Sequence, residues 1–169
     1  MARHTSGKSK LYPYSTASFT LSQFKTHMNN VSKYAYPGYL ATPGIIPSNF
    51  VKYAKNYASS KGVTISQDLN YSELHDFWNA SDYIVYNLQL NRPVAICLYQ
   101  SKFSELSRFT WHWMTVTKYF RDTSDNRWVA VSSWGERHSL NWRLLHNYQN
   151  ENGYNDGFYG VRTRIYAFK

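Results

Sequence analysis

Residues 111–120 read Trp-His-Trp-Met-Thr-Val-Thr-Lys-Tyr-Phe: a histidine between two tryptophans, leading into alternating apolar and polar side chains. Strict alternation is the signature of a half-buried strand, so His112 is expected on a rigid strand. An imidazole held there can act as a general base when an acceptor on the next strand fixes its tautomer. The plainer reading is a core histidine satisfied by a backbone group or a tyrosine hydroxyl. Downstream, Val-Ala-Val-Ser-Ser-Trp-Gly (129–135) offers the hydroxyls of Ser132 and Ser133. A serine–histidine hydrolase built on them finds no nucleophile-elbow glycine pattern in its favour. The one cysteine, Cys97, sits inside Val-Ala-Ile-Cys-Leu, where a thiol usually behaves as a small buried hydrophobe.

The elements that would position these groups fall into two halves. Residues 1–19 are polar and aromatic and are expected to be extended. Leu21, Phe24, Met28 and Val31 share one face at the helical period, which predicts a first helix. The Pro/Gly-rich stretch 36–47 predicts successive turns. A second helix is expected from Pro47/Ser48 to Gly62, with Phe50, Val51, Ala54, Tyr57 and Ala58 inward and Gly62 as a left-handed cap. Val63–Ile65 suggests a short strand. Ser81–Leu90 suggests a third helix capped by Ser81 or Asp82. From Pro93 the pattern is of strands: Pro-Val-Ala-Ile-Cys-Leu-Tyr, then 109–120 and 127–134 as a hairpin about Arg-Asp-Thr-Ser-Asp-Asn. Leu-Asn-Trp-Arg-Leu-Leu (140–145) and 157–168 complete the set. Helices first and an antiparallel sheet second predict an α+β domain. It spans 1–169, with 1–19 an extended segment, 20–92 mainly helical and 93–169 rich in strands.

Composition narrows the function classes. The chain has 169 residues, 43% hydrophobic and 17% charged, enough for one domain with a proper core. Aromatic residues reach 18%, with sixteen Tyr and six Trp, and such side chains suit half-exposed groove walls as well as cores. A formal net charge of +9 favours anionic partners. The basic residues are nevertheless spread along the chain, which argues against a nucleic-acid-binding arm. One cysteine excludes an internal disulfide framework and Cys-rich zinc sites. His4, His27, His75, His138 and His146 lack metal-ligand spacing, so no metal or cofactor is expected. Thr-Ser-Gly-Lys-Ser (5–9) lacks the first glycine of a phosphate loop. No apolar run approaches the roughly 20 residues of a membrane span, and the N-terminus has no apolar signal-peptide region.

Asn-Arg-Pro-Val-Ala-Ile-Cys-Leu (91–98), then His-Trp-Met-Thr-Val-Thr (112–117), then Val-Ser-Ser-Trp-Gly (131–135) occur in the order of the strand-rich half of papain-like cysteine peptidases. Over 91–143, and weakly back to residue 36, the chain resembles their bacterial branch related to bacteriocin-processing, double-glycine peptidases. The resemblance implies a papain-like α+β fold and peptide hydrolysis through an acyl-thioester. His112 becomes the base, and Ser132 takes the orienting position usually held by Asn. Trp134 shields that hydrogen bond, and Gly135 turns the chain close to the cleft. Trp113 and Trp134 are expected on one groove wall and Tyr39 on the opposite rim. In that family the nucleophilic Cys begins an N-terminal helix, whereas here no Cys precedes residue 97. The opening Ala-Arg-His-Thr-Ser-Gly-Lys-Ser-Lys-Leu-Tyr resembles the segment downstream of that helix. The expectation is therefore a peptidase-like domain that is inactive or incomplete as it stands, with Cys97 as a poor substitute nucleophile. The alternatives are a binding module for peptide or an anionic cell-envelope polymer and, third, nucleic-acid binding. Relatives of this kind are commonly exported or envelope-associated.

Overall fold

In the computed structural model the described residues are 9–11, 20–35, 47–68, 76–92, 94–98, 103–147 and 164–168. Every residue of strand β2 (Val94–Leu98) is buried, as a continuous apolar run requires when a strand is covered on both faces. Around it lie β1 (Gln67–Asp68), β3 (His112–Arg121), β4 (Arg127–Ser133), β5 (Glu136–Asn141) and β6 (Arg164–Phe168). They form one sheet of six strands in the order β1-β6-β2-β3-β4-β5, with every neighbouring pair antiparallel. The helices are α1 (Leu21–Ser32), α2 (Pro47–Ser60), α3 (Phe77–Gln89), the short α4 (Ser104–Ser107) and α5 (Trp142–Asn147). The domain is α+β.

Strand alternation sorts the sheet's side chains between two cores. On one face Val94, Ile96, Leu98, Met114, Val116, Val129, Val131 and Leu140 pack against Phe77, Ala80 and Ile84 of α3 and Trp142 and Leu145 of α5. On the other, Ala95 and Trp113 meet Phe50, Val51 and Ala54 of α2. The register of β3 on β4 shifts between Val116 and Lys118, so Thr117 is an extra residue. A bulge of this kind resets which face later side chains take. It lets Met114, Val116 and Tyr119 all reach the α3 side.

Helix ends follow their local chemistry. Asp76 caps α3 by accepting from the Trp78 and Asn79 amides at 2.8 and 2.9 Å, so the helix starts at Phe77 and not at Ser81. Ser81 is an interior residue instead: its hydroxyl donates to the Phe77 carbonyl at 2.7 Å and accepts from Trp142 Nε1 at 2.8 Å. That chain leaves the buried indole satisfied while tying α5 to α3. Asn91, at φ 55°, closes α3, and the Asn91 and Arg92 amides donate back to the Leu88 and Asn87 carbonyls. The same Schellman pairing ends α2 at Gly62, whose φ of 65° suits glycine. In α2, Val51, Tyr57 and Ala58 are buried as expected.

Helix α1 is present as expected, and two other expectations differ from the structure. Helix α1 forms behind a Thr20–Gln23 capping box, but Leu21, Phe24 and Met28 are exposed. Val31 packs on the small core of Leu11, Tyr57, Ala58 and Val63, and His27 meets Tyr57 edge-on at 5.9 Å. The first strand comes at Gln67, after Val63–Ile65. Leu-Asn-Trp-Arg-Leu-Leu splits: Asn141 ends β5, and its side chain then accepts from the Leu144 amide at 3.1 Å, starting a helix at Trp142. The 36–46 turns and residues 1–8 and 12–19 lie outside the described residues.

The β3–β4 turn is organised by one carboxylate. Asp122 accepts from the Ser124 and Asn126 amides, from Asn126 Nδ2 and from Trp128 Nε1, all at 2.9–3.0 Å. The side-chain hydrogen bonds from Asn126 and Trp128 hold its carboxyl below the ordinary value. A depressed carboxyl pKa contributes stability above the unfolded value, and that stability is lost as pH falls through the folded one. Asp122→Asn should therefore lower the melting temperature at pH 7, and the gap to the parent should narrow at pH 3. Thermal unfolding at the two pH values checks this, and an equal gap at both would contradict it.

Candidate functional site

Loop geometry at the end of β4 places the central pair. Ser133 pairs with Glu136, so Trp134 and Gly135 form a two-residue hairpin with φ of 49° and 82°. Positive φ at both positions is the type I′ signature, which ordinarily selects Asn-Gly. Gly135 meets this need directly, and a Cβ there would have open space but the wrong backbone. Trp134 does not, and holding a bulky residue there costs about 1–3 kcal/mol. Trp111, the residue before His112, is likewise at φ 57°. Left-handed tryptophans therefore flank both His112 and Ser133.

His112 lies two residues before Met114, the residue that faces Ser133 in the ladder when the Thr115–Ser132 register is extended by one pair. The two side chains are thus diagonal neighbours on the α3 face. His112 Nε2 and Ser133 Oγ are 2.7 Å apart, and Ser133 is only 5% exposed. The Trp134 ring stacks on the imidazole at 4.1 Å and 17°. Phe109 continues the stack at 5.6 Å from Trp134 and meets His138 edge-on at 5.3 Å. Arg108 Nη2 lies 2.7 Å from His138 Nδ1. A guanidinium can only donate, so Nδ1 is the acceptor of that contact, and Nε2 lies 3.5 Å from Glu136 Oε2.

Burial lowers the His112 pKa from its ordinary 6.5, so the ring is neutral at pH 7 and can accept a proton. With Nε2–H donating to Ser133, the basic lone pair sits on Nδ1. With the hydroxyl donating to Nε2, the serine is the group being activated. Either way, the serine fixes the ring plane and the indole covers one of its faces.

The expected site residues separate cleanly. His112 and Trp134 meet, with Gly135 in the adjoining turn. The hydroxyl on His112 belongs to Ser133; Ser132 points to the opposite face and is exposed, opposite Thr115 and Arg137. Cys97 pairs with Trp113, whereas His112 pairs with Leu98. The thiol is therefore on the α2 side, 3% exposed, with the sheet between it and the imidazole. Trp113 is on that side too, stacked on Phe50 at 3.9 Å and 8°, so it is packing under α2 and not a wall of the His112 site. Tyr39 lies outside the described residues. Phe109, Arg108 and His138 join the site with no motif in the sequence to single them out. The parity of Val129 and Val131, both core-facing, already points to Ser133 over Ser132. Among the described residues no cluster of three His, Cys, Asp or Glu could hold a metal, and no helix is long and apolar enough to cross a membrane.

Comparison of the chain with protein-family models, with curated proteins and with solved structures yields no match in any of the three.

With a folded pKa below 6.5, His112 takes its proton more readily in the unfolded chain. Its contribution to stability is complete above about pH 6.5 and declines as pH falls toward the folded value. Proton NMR titration should place His112 below 6.5, and Trp134→Ala, which uncovers the ring, should move it back up. An unchanged titration in the variant would remove the indole from this role.

Proposed function

We propose that this chain is a cysteine-peptidase-like domain of papain-like architecture, with His112 in the general-base position and its own cysteine outside the chemistry. The observation that carries the reading is the 2.7 Å contact between His112 Nε2 and Ser133 Oγ beneath Trp134. It lies across adjacent strands that come after the Pro-Val strand in the order the sequence resemblance requires.

The chemistry of the family needs an imidazole held in one tautomer, so that it takes a proton from a thiol and later returns one to the leaving amine. Ser133 supplies the hold. Its hydroxyl is shorter than the amide of an Asn, and the lost reach is made up by its place on the same sheet face as His112. Trp134 keeps water from competing for that bond, which strengthens it in a site of low local dielectric. Cys97 cannot supply the thiol, because β2 directs it under α2. A thiolate–imidazolium pair with His112 requires a different thiol. With the residues of this chain alone, the site binds an extended peptide against the exposed indoles of Trp111 and Trp134 and does not cleave it through Cys97.

A thiol-directed epoxide or iodoacetamide should leave the native chain unmodified and label Cys97 only after denaturation. Rapid stoichiometric labelling of native Cys97, abolished by His112→Ala, would overturn the reading.

A further inference from the structure

The opposite end of the β3–β4 hairpin carries a second, unrelated surface. Arg127 opens β4 six residues from Ser133, which at the strand rise is about 20 Å away. Its guanidinium lies over the Trp78 ring, 4.4 Å from the centroid. Phe77 meets Trp78 edge-on at 5.3 Å, and Arg143 lies over Phe77 at 3.9 Å. Four residues from α3, β4 and α5, scattered over 67 positions of sequence, thus form one run of guanidinium, indole, phenyl and guanidinium.

The surroundings leave these charges available. Among the described residues the carboxylates within 4 Å of a basic side chain are Asp125, beside Arg121, and Glu136, beside His138, so neither Arg127 nor Arg143 faces a carboxylate partner. Asp76 is engaged in capping α3. Asp82, one turn along α3 from Trp78, marks the acidic limit of the patch. A guanidinium laid on a ring keeps its N–H edge for a phosphate, which it can grip with two hydrogen bonds. Trp78 is 52% exposed, far more open than an indole serving the core.

We propose that this patch binds single-stranded nucleic acid, with Trp78 stacking on a base and Arg127 and Arg143 holding flanking phosphates. Duplexes hide their base faces from such an indole, and an anionic polysaccharide offers it only the C–H face of a sugar ring, without the π face that a base stacks with. The proposal is independent of the peptidase-like reading, because no residue of the His112 site takes part.

Fluorescence anisotropy with a labelled oligothymidylate over a range of salt concentrations tests it on the full chain. Binding should weaken with salt, and Arg127→Ala/Arg143→Ala should reduce the log–log slope by about 1.4, at ~0.7 per phosphate on a single strand. Trp78→Ala should weaken binding roughly tenfold, Asp82→Asn should tighten it, and His112→Ala should leave it unchanged. Arg127→Lys should keep the slope but lose affinity. Circular dichroism confirms that each variant is folded. No binding at low salt overturns the proposal, as does a slope unmoved in the double arginine variant. Heparin binding as tightly as the oligonucleotide, with Trp78→Ala neutral, would overturn it too, by showing a surface that reads charge alone.

Discussion

Covering the central sheet on both faces is the constraint on which the site depends. Because β2 and β3 have a packed layer on each side, every residue's parity decides which layer it joins, and a one-residue change of parity moves a side chain through the sheet. Leu98 and His112 belong to the α3 layer, and Cys97 and Trp113 to the α2 layer. The same parity selects Ser133 and rejects Ser132. No rotamer change can carry a group across a sheet, so the chemistry open to His112 is restricted to what its own layer presents. That layer presents a hydroxyl, two stacked aromatic rings and the Arg108–His138 pair.

The parts of this arrangement that are legible in sequence are those carried by local pattern. The α2 helix, with Gly62 beyond it, is set by period and cap, and the β3–β4 hairpin by alternation about Asp122–Asn126. The start of α3 is hidden because Ser81 and Asp82 look like caps. Asp76, five residues before Ser81, is the better one, since its carboxylate meets two amides. The turn from β5 into α5 is hidden for a related reason: Asn141 both ends a strand and starts a helix, and strand alternation masks the second role. The exposed face of α1 is beyond period alone, since an amphipathic pattern identifies a helix but not what covers it. At the site, the class of residue and the strand pair are legible. The serine that makes the contact is fixed by register, which requires a bulge at Thr117 that nothing in the local composition announces.

The excess of basic over acidic residues, 19 against 10, has a consequence for how cations are accommodated. With few carboxylates to pair with, Arg108, Lys118, Arg127 and Arg143 lie on aromatic rings. Such contacts are worth about 0.5–1 kcal/mol at exposed sites, similar to an exposed ion pair, but they leave the charge uncancelled. A surface stabilised this way remains electropositive where a salt-bridged one would not. The aromatic richness and the net charge are thus one feature and not two.

The cost of the Trp134 conformation weighs against reading His112 as an ordinary core histidine. A solvent-facing hairpin between Ser133 and Glu136 would form at lower energy with Asn at position 134, and Trp134 is 60% exposed, so little burial is gained by it. What the indole provides is a stacked cover over the imidazole at 4.1 Å and a second ring face for Phe109. Each such contact is worth about 0.5–1.5 kcal/mol, which roughly offsets the strain and leaves no surplus for stability. Trp111 repeats the pattern on the other strand, left-handed and exposed beside the same histidine. A histidine serving the core needs neither: Ser133 alone would satisfy Nε2, and Met114 and Val116 already fill the layer beneath. The strain at Trp134 thus accompanies a neutral, hydrogen-bonded imidazole that is capped by one exposed indole.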